Sequence, residues 1–277
     1  MWPHDLDIGG GAPRIQAGVG AAPATQKNYR NIAGHFRAEH GDKPVAQMQS
    51  RHVRRIIAAR AATPNAANTL LKVIKMMMRF AVDDGWIEHD PAQEVRKIRA
   101  HSDGFHNWTE EEIETFESHW PIGSRTRLAF ALLLYTAKRR SDVVRMGRQH
   151  VIDEFVAVMQ QKGKMRIEVP IHTKLRTILD ATPNDHLTFL DTAAGAPFTA
   201  AGFGNYLREC CDQAVVPAHC IAHGLRKAGS RPLAEAGCTA HQIKAITGHE
   251  TVERHTKAVD QKRLAASAMV KLEKPDS

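Results

Sequence analysis

The stretch AHGLRKAGSRPLAEAGCTAHQIKAITGHETVERHTKAVD, residues 222–260, holds the densest chemistry of this 277-residue chain. It sets His223 and Arg226 three residues apart, places His249 directly after Gly248, and has His255 six residues further on. Positions three apart share a face of a helix, so His223 and Arg226 are expected to point the same way. One titrates near neutrality and the other is a permanent, forked cation. That pair suits a phosphodiester, whose reaction needs proton transfer and stabilisation of negative charge together. HETVERH does not fit a zinc protease, because its histidines lie six residues apart and not the four that share a helix face.

Outward from this stretch, the bulk properties narrow the classes. The length allows two domains with separate cores. A net charge of +8 favours a polyanionic partner. The excess is uneven: residues 25–107 carry 14 Lys+Arg against 8 Asp+Glu, and residues 108–277 carry 23 against 20. The smaller region is therefore the more basic per residue. No apolar run approaches a membrane span, and the first residues, rich in acids and glycines, lack a signal-peptide pattern; a soluble cytoplasmic protein is expected. Cys210, Cys211, Cys220 and Cys238 contain no CxxC pair and read as buried thiols, not disulfides or zinc ligands.

Along the chain, residues 1–24 read as a flexible leader, rich in Gly, Ala and Pro from residue 8. Residues 25–97 read as a helical domain. Tyr29, Ile32, Ala33 and Phe36 make one helix face ending near Gly41, and a second helix covers 51–60. Residues 66–82 form its clearest helix, with a basic stripe of Lys72, Lys75 and Arg79 beside an apolar face of Leu70, Leu71, Ile74, Met77, Met78 and Ala81. Such a stripe is either a solvated face or one that neutralises backbone phosphates. Residues 98–107 are expected to link this domain to a second, 108–277. That one opens on a capping box, Thr109 with Glu112. It continues with an apolar helix at 128–137, two strands at 155–159 and 165–169 around Gly163, a helix near 173–181, and another from Thr199. Pro232 and Gly229 weaken the helix that starts near His223, the proline by roughly 3 kcal/mol in a helix interior.

His223-x-x-Arg226 followed by Gly248-His249 resembles the catalytic box of the tyrosine recombinases, the phage-type integrases. Two further motifs carry the resemblance in the right order. Thr136-Ala137-Lys138-Arg139-Arg140-Ser141-Asp142 is similar to the family's Thr-Gly-x-Arg region, with Ala137 where Gly is usual, Arg139 at the arginine position and Arg140 its nearest rival. Gln160-Gln161-Lys162-Gly163 looks like the hairpin that bears the family's lysine, with Lys164 a competitor to Lys162. The resemblance implies a mainly α fold with a small antiparallel β-sheet: a helical core-binding domain and an α+β catalytic domain, closed as a clamp on duplex DNA. It implies that Arg139 and Arg226 clamp the phosphate, Lys162 protonates the leaving 5′ oxygen, His223 accepts the nucleophile's proton and His249 bonds the phosphate. It implies no metal and no cofactor, and protomers assembling, as a tetramer, on recombination sites of mobile DNA.

The family's nucleophile is a tyrosine, and here His255 occupies that position, after a gap from His249 several residues shorter than usual. None of the three tyrosines, Tyr29, Tyr135 and Tyr206, falls in the final box. The expectation is a recombinase-like DNA-binding protein with impaired cleavage. Beside it stand a non-catalytic protein that occupies attachment sites or regulates a related recombinase, and cleavage by His255 or water.

Overall fold

The computed structural model describes residues 22–99, 104–182 and 186–248. The chain divides into two compact units between Ser102 and Asp103.

In the first unit, three helices share one apolar core. α1 (Pro23–His40) contributes Tyr29 and Phe36, α2 (Ser50–Ala58) contributes Val53 and Ile57, and α3 (Pro64–Asp83) runs through the middle. Pro64 opens α3 at its first turn, where a missing backbone N–H costs nothing. Ala67, Leu70, Leu71, Val73, Ile74, Met77, Met78 and Ala81 of α3 are all buried. The methionine run is thus core filling, as its flexible thioethers suit. Ile98 is tied back to this unit through Asn68, whose side chain donates to the Ile98 carbonyl at 2.8 Å and accepts from its amide at 2.9 Å.

The second unit opens with α4 (Glu110–His119), whose Thr109–Glu112 capping box forms as the spacing predicts. α5 (Arg125–Thr136) is buried from Leu128 to Leu134, apolar on every side, and forms the axis of the core. It starts three residues before the expected apolar run because Ser124 caps it, accepting from the Arg127 amide, while Arg125 and Arg127 mask the first turn in the sequence. α6 (Arg140–Val143) follows at once. The sheet has three antiparallel strands in the order β1 (Val151–Ile152), β2 (Phe155–Met159), β3 (Arg166–Pro170). The sequence predicts only two of them; β1, with two residues, is too short for alternation to reveal. Val156 pairs with Val169 and Val158 with Ile167, and all four face inward.

α7 (Thr173–Ala181), α8 (Ala200–Gln213), α9 (Ala222–Glu235) and α10 (Ala240–Thr247) follow among the described residues of the unit. α9 remains helical through Pro232, which lies on its exposed side, while Leu225, Ala228 and Ala234 anchor the helix from the buried side. Gly229 has a packing reason: a Cβ there would collide with the Leu134 carbonyl oxygen, so α9 crosses α5 at backbone-to-backbone range. The molecule is therefore mainly α with a small antiparallel sheet, in two units. No described helix is long and apolar enough to cross a membrane.

Candidate functional site

α5 cannot simply continue into α6. Ala137 takes a left-handed conformation (φ 50°, ψ 33°), ends α5 and turns the chain so that Arg139 caps α6. For a residue with a Cβ this conformation costs about 1–2 kcal/mol. The turn delivers Arg139 and Arg140 to the wall of a cavity of about 620 Å³. α9 supplies the facing wall with His223 and Arg226, and α8 supplies Gly204, Leu207 and Arg208. Arg139 from one motif and the His223–Arg226 pair from another, more than 80 residues apart in the chain, thus line one space. Arg140 lines it too, so proximity to the cavity does not separate the rivals. Arg139 also contributes to the lowered pKa values of Arg226 and Lys138.

Arg226 is almost fully buried, with 1% exposure, and its Nη2 donates to the Thr247 carbonyl at 3.1 Å. Gln160 Nε2 donates to the same carbonyl at 3.3 Å, and Lys138 Nζ donates to the Ile246 carbonyl at 2.7 Å. The last carbonyls of a helix have no intrahelical partners and carry partial negative charge. Three donors from different elements gather on that end of α10 and fix it against the cavity. Gly248 follows in a left-handed conformation (φ 65°), where a side chain would run into Gln160 and Ile167.

Burial pushes the Lys138 amine down to about 7, with the charges of Arg226 and Arg139 acting the same way and Asp142 opposing. Burial and Arg139 push Arg226 down to about 10, with Asp142 again opposing. Asp142 is itself buried, and its Oδ1 accepts from the Gln161 amide at 2.9 Å. The Asp142 carboxylate therefore offsets part of the desolvation of Lys138 and Arg226 and anchors the root of the β2–β3 hairpin. In the sequence Asp142 stands only as the acid of its motif, and neither Lys138 nor Gln160 is singled out. A lysine held between an apolar helix and two arginines is the signal that could have found the first.

The hairpin lysine is placed differently. Lys162 is exposed in the β2–β3 turn and does not line the cavity; Lys164, the competitor, is exposed beside it with φ 54°. The hairpin closes through the Gln160 amide, which donates to the Met165 carbonyl at 2.9 Å and leaves both lysines at its tip. His249 and His255 lie outside the described residues. None of the tyrosines lines the cavity. Tyr135 stacks on His172, Tyr206 shares a 2.6 Å hydrogen bond with Thr126, and Tyr29 lies under Lys72 in the first unit. Of the α3 stripe, Lys72 sits 5.3 Å from the centre of the Tyr29 ring, Lys75 donates to the Gln93 carbonyl at 2.9 Å, and Arg79 is exposed.

Comparison with known proteins places the chain in a family. Residues 107–258 match the model of the phage integrase family, and residues 16–98 match the phage integrase central domain. The integrase of Escherichia phage HK022 is 21% identical over 154 residues, which span 55% of this chain and 43% of that protein, so the match covers less than half of the relative. A lambda integrase dimer bound to a COC' core site superimposes with a TM-score of 0.76 at 17% identity, covering 89% of this chain and 92% of that one. The Tn1549 transposon integrase in complex with circular intermediate DNA gives 0.69 at 14% identity, covering 87% and 91%. With the family model spanning more than half of its length, this chain belongs to the phage integrase family, the tyrosine recombinases.

Proposed function

We propose that this protein binds duplex DNA at the recombination sites of a mobile element and holds one backbone phosphate in the cavity between α6 and α9. The observation that carries the reading is the convergence of Arg139, Arg226 and His223 on that cavity. Two guanidinium groups offer bidentate hydrogen bonds to the non-bridging oxygens, and a phosphoryl-transfer transition state concentrates charge there. Arg139 takes the first of these positions by its place in the motif, with Arg140 beside it in the same wall. His223 accepts the proton of the attacking group, Lys162 reaches the leaving 5′ oxygen if the hairpin folds over bound DNA, and His249 adds a hydrogen bond to the phosphate. Residues 25–97 form the core-binding domain, joined through 98–107 to the catalytic-type domain 108–277. Lys72, Lys75 and Arg79 contact backbone phosphates in the first. The lambda integrase structures include a tetramer bound to a Holliday junction; by analogy, protomers of this chain assemble as a tetramer on DNA in the cytoplasm, without cofactor.

Strand cleavage is impaired, because His255 stands at the nucleophile position and all three tyrosines are engaged away from the cavity. The same observation favours a second reading: a non-catalytic integrase derivative that occupies attachment sites or regulates an active relative. One assay separates them. Duplexes selected from a random pool for binding are rebuilt as nicked suicide substrates and incubated with the wild type and with His255→Tyr. The proposal expects salt-dependent binding by both, no covalent adduct with the wild type, and an adduct with His255→Tyr. An adduct with neither supports the regulator, and an adduct formed by the wild type refutes impaired cleavage. Binding that ignores salt would overturn the DNA reading altogether.

A further inference from the structure

Away from the guanidinium wall of the cavity, four side chains with metal-binding atoms meet at the root of α9. His106 and Glu112 come from the segment that opens the second unit; His219 and Cys220 come from the turn that leads into α9. One ligand atom from each lies within 4.8 Å of every other. The pairing is specific. His106 Nε2 is 2.7 Å from one carboxylate oxygen of Glu112, His219 Nε2 is 3.1 Å from the other, and the two imidazole rings are 4.1 Å apart between centroids. Cys220 is fully buried, His106 half-buried and His219 exposed.

We propose that His106, Glu112, His219 and Cys220 form a binding site for a divalent transition metal of the zinc class, which staples the start of the second unit to the start of α9. The donor set decides the class. Two imidazole nitrogens, a thiolate and one carboxylate oxygen make a tetrahedral N₂SO shell, suited to Zn²⁺ or Co²⁺ and not to Mg²⁺ or Ca²⁺, which take oxygen ligands. In such a shell neighbouring ligand atoms stand about 3.3–3.8 Å apart, so the present spacing closes on an ion with side-chain adjustments of about 1 Å. On binding, the Cys220 thiol loses its proton to solvent and the sulfur–metal bond forms in its place.

The surroundings hold the ligands as a metal site requires. The Thr109 amide donates to Glu112 Oε2 at 2.8 Å, fixing the carboxylate. Arg208 Nη1 donates to the Cys220 carbonyl at 3.1 Å, and the Cys220 amide closes a turn on the Pro217 carbonyl at 2.9 Å. Trp108 Nε1 donates to the Ile221 carbonyl at 3.1 Å, so the two segments are already laced together beside the cluster. Cys220 also lines the cavity and stands three residues before His223. The ion would sit outside the phosphate chemistry and steady the helix start that presents His223.

The test uses the full chain without a polyhistidine tag, stripped with chelator and titrated with Co²⁺. The expected result is one equivalent bound, with the visible absorption of tetrahedral cobalt and a thiolate-to-cobalt charge-transfer band, both displaced by Zn²⁺. Zn²⁺ raises the thermal midpoint and Mg²⁺ does not. His219→Ala, at a solvent-exposed position, weakens uptake roughly tenfold or more. Cys220→Ser removes the charge-transfer band, whereas Cys238→Ser keeps it. Absence of a stoichiometric cobalt spectrum overturns the proposal, as does uptake unchanged in His219→Ala or a band that follows Cys238. Because Cys220 is buried and its serine variant can fail to fold, His106→Ala is measured beside His219→Ala. Undiminished uptake in both histidine variants overturns the site whatever the serine variant does.

Discussion

The cations of the cavity and the cations of α3 differ in what surrounds them. Arg226 and Lys138 are desolvated and pinned to the carbonyls that end α10, with Asp142 as counter-charge. Lys72 and Arg79 are exposed, and Lys72 rests on the Tyr29 ring. A charge held without water in one orientation can stabilise a charge that develops at one place. An exposed charge on a flexible stem contributes affinity along a polyanion, with little dependence on position and strong dependence on salt. On the proposed function, the same residue types would serve chemistry in one region and adhesion in the other.

Substitutions can break this contrast, and the largest loss of stability is expected at Asp142. Asp142→Ala removes the carboxylate that opposes the desolvation of Lys138 and Arg226 and leaves the Gln161 amide without its acceptor, and should cost about 1.5–3 kcal/mol of unfolding free energy in denaturant titration. A loss below about 1 kcal/mol, the range of an exposed pair, would mean that Asp142 does not offset that desolvation as described. Next, in the His255→Tyr background, Arg226→Ala should lower the cleavage rate about 10²–10³-fold with DNA affinity much less affected. Equal losses in both would make Arg226 an adhesive charge like those of α3.

The buried amine gives a pH signature. Lys138 has its folded value near 7, below its ordinary 10.5, so the unfolded chain binds the extra proton between those limits. Stability should then rise with pH from about 7 to about 10.5, by at most about 1.4 kcal/mol per unit, and level off below 7. Lys138→Met should remove that part of the slope. On the other side of the comparison, Lys72→Ala with Arg79→Ala should shallow the dependence of log K on log salt by about 0.9 for each phosphate no longer neutralised, while adduct formation by His255→Tyr at saturating DNA stays unchanged. The smallest effect is expected at Ala137. Replacement by glycine relieves the left-handed turn and should add about 1 kcal/mol, visible as a raised thermal midpoint.

Much of the fold is legible along the chain. The Tyr29–Phe36 face, the α3 core positions, the Thr109–Glu112 box and the β2–β3 pair all depend on periodicity or on interactions within a few residues, and each appears where the spacing puts it. Motif order likewise nominates Arg139, His223 and Arg226. Where reading along the chain falls short, the cause is a distant neighbour. Gly229 and Pro232 look like flaws in α9, yet Gly229 is what lets the helix approach Leu134 of α5, and buried packing keeps the helix intact past Pro232.

By itself, the sequence determined the family, the two-part helical plan and the residue types of the candidate site, because local periodicity and ordered motifs are one-dimensional properties. Only the tertiary structure decided that Arg139, Arg140, His223 and Arg226 share one cavity, that Asp142 lies buried beside Lys138 and ties the hairpin root, that the hairpin tip carries Lys162 outside the cavity lining, and that two histidines, a glutamate and a cysteine converge at the root of α9. Those are outcomes of packing between segments far apart in the chain, where burial and electrostatic neighbours, not spacing, determine what each charge can do.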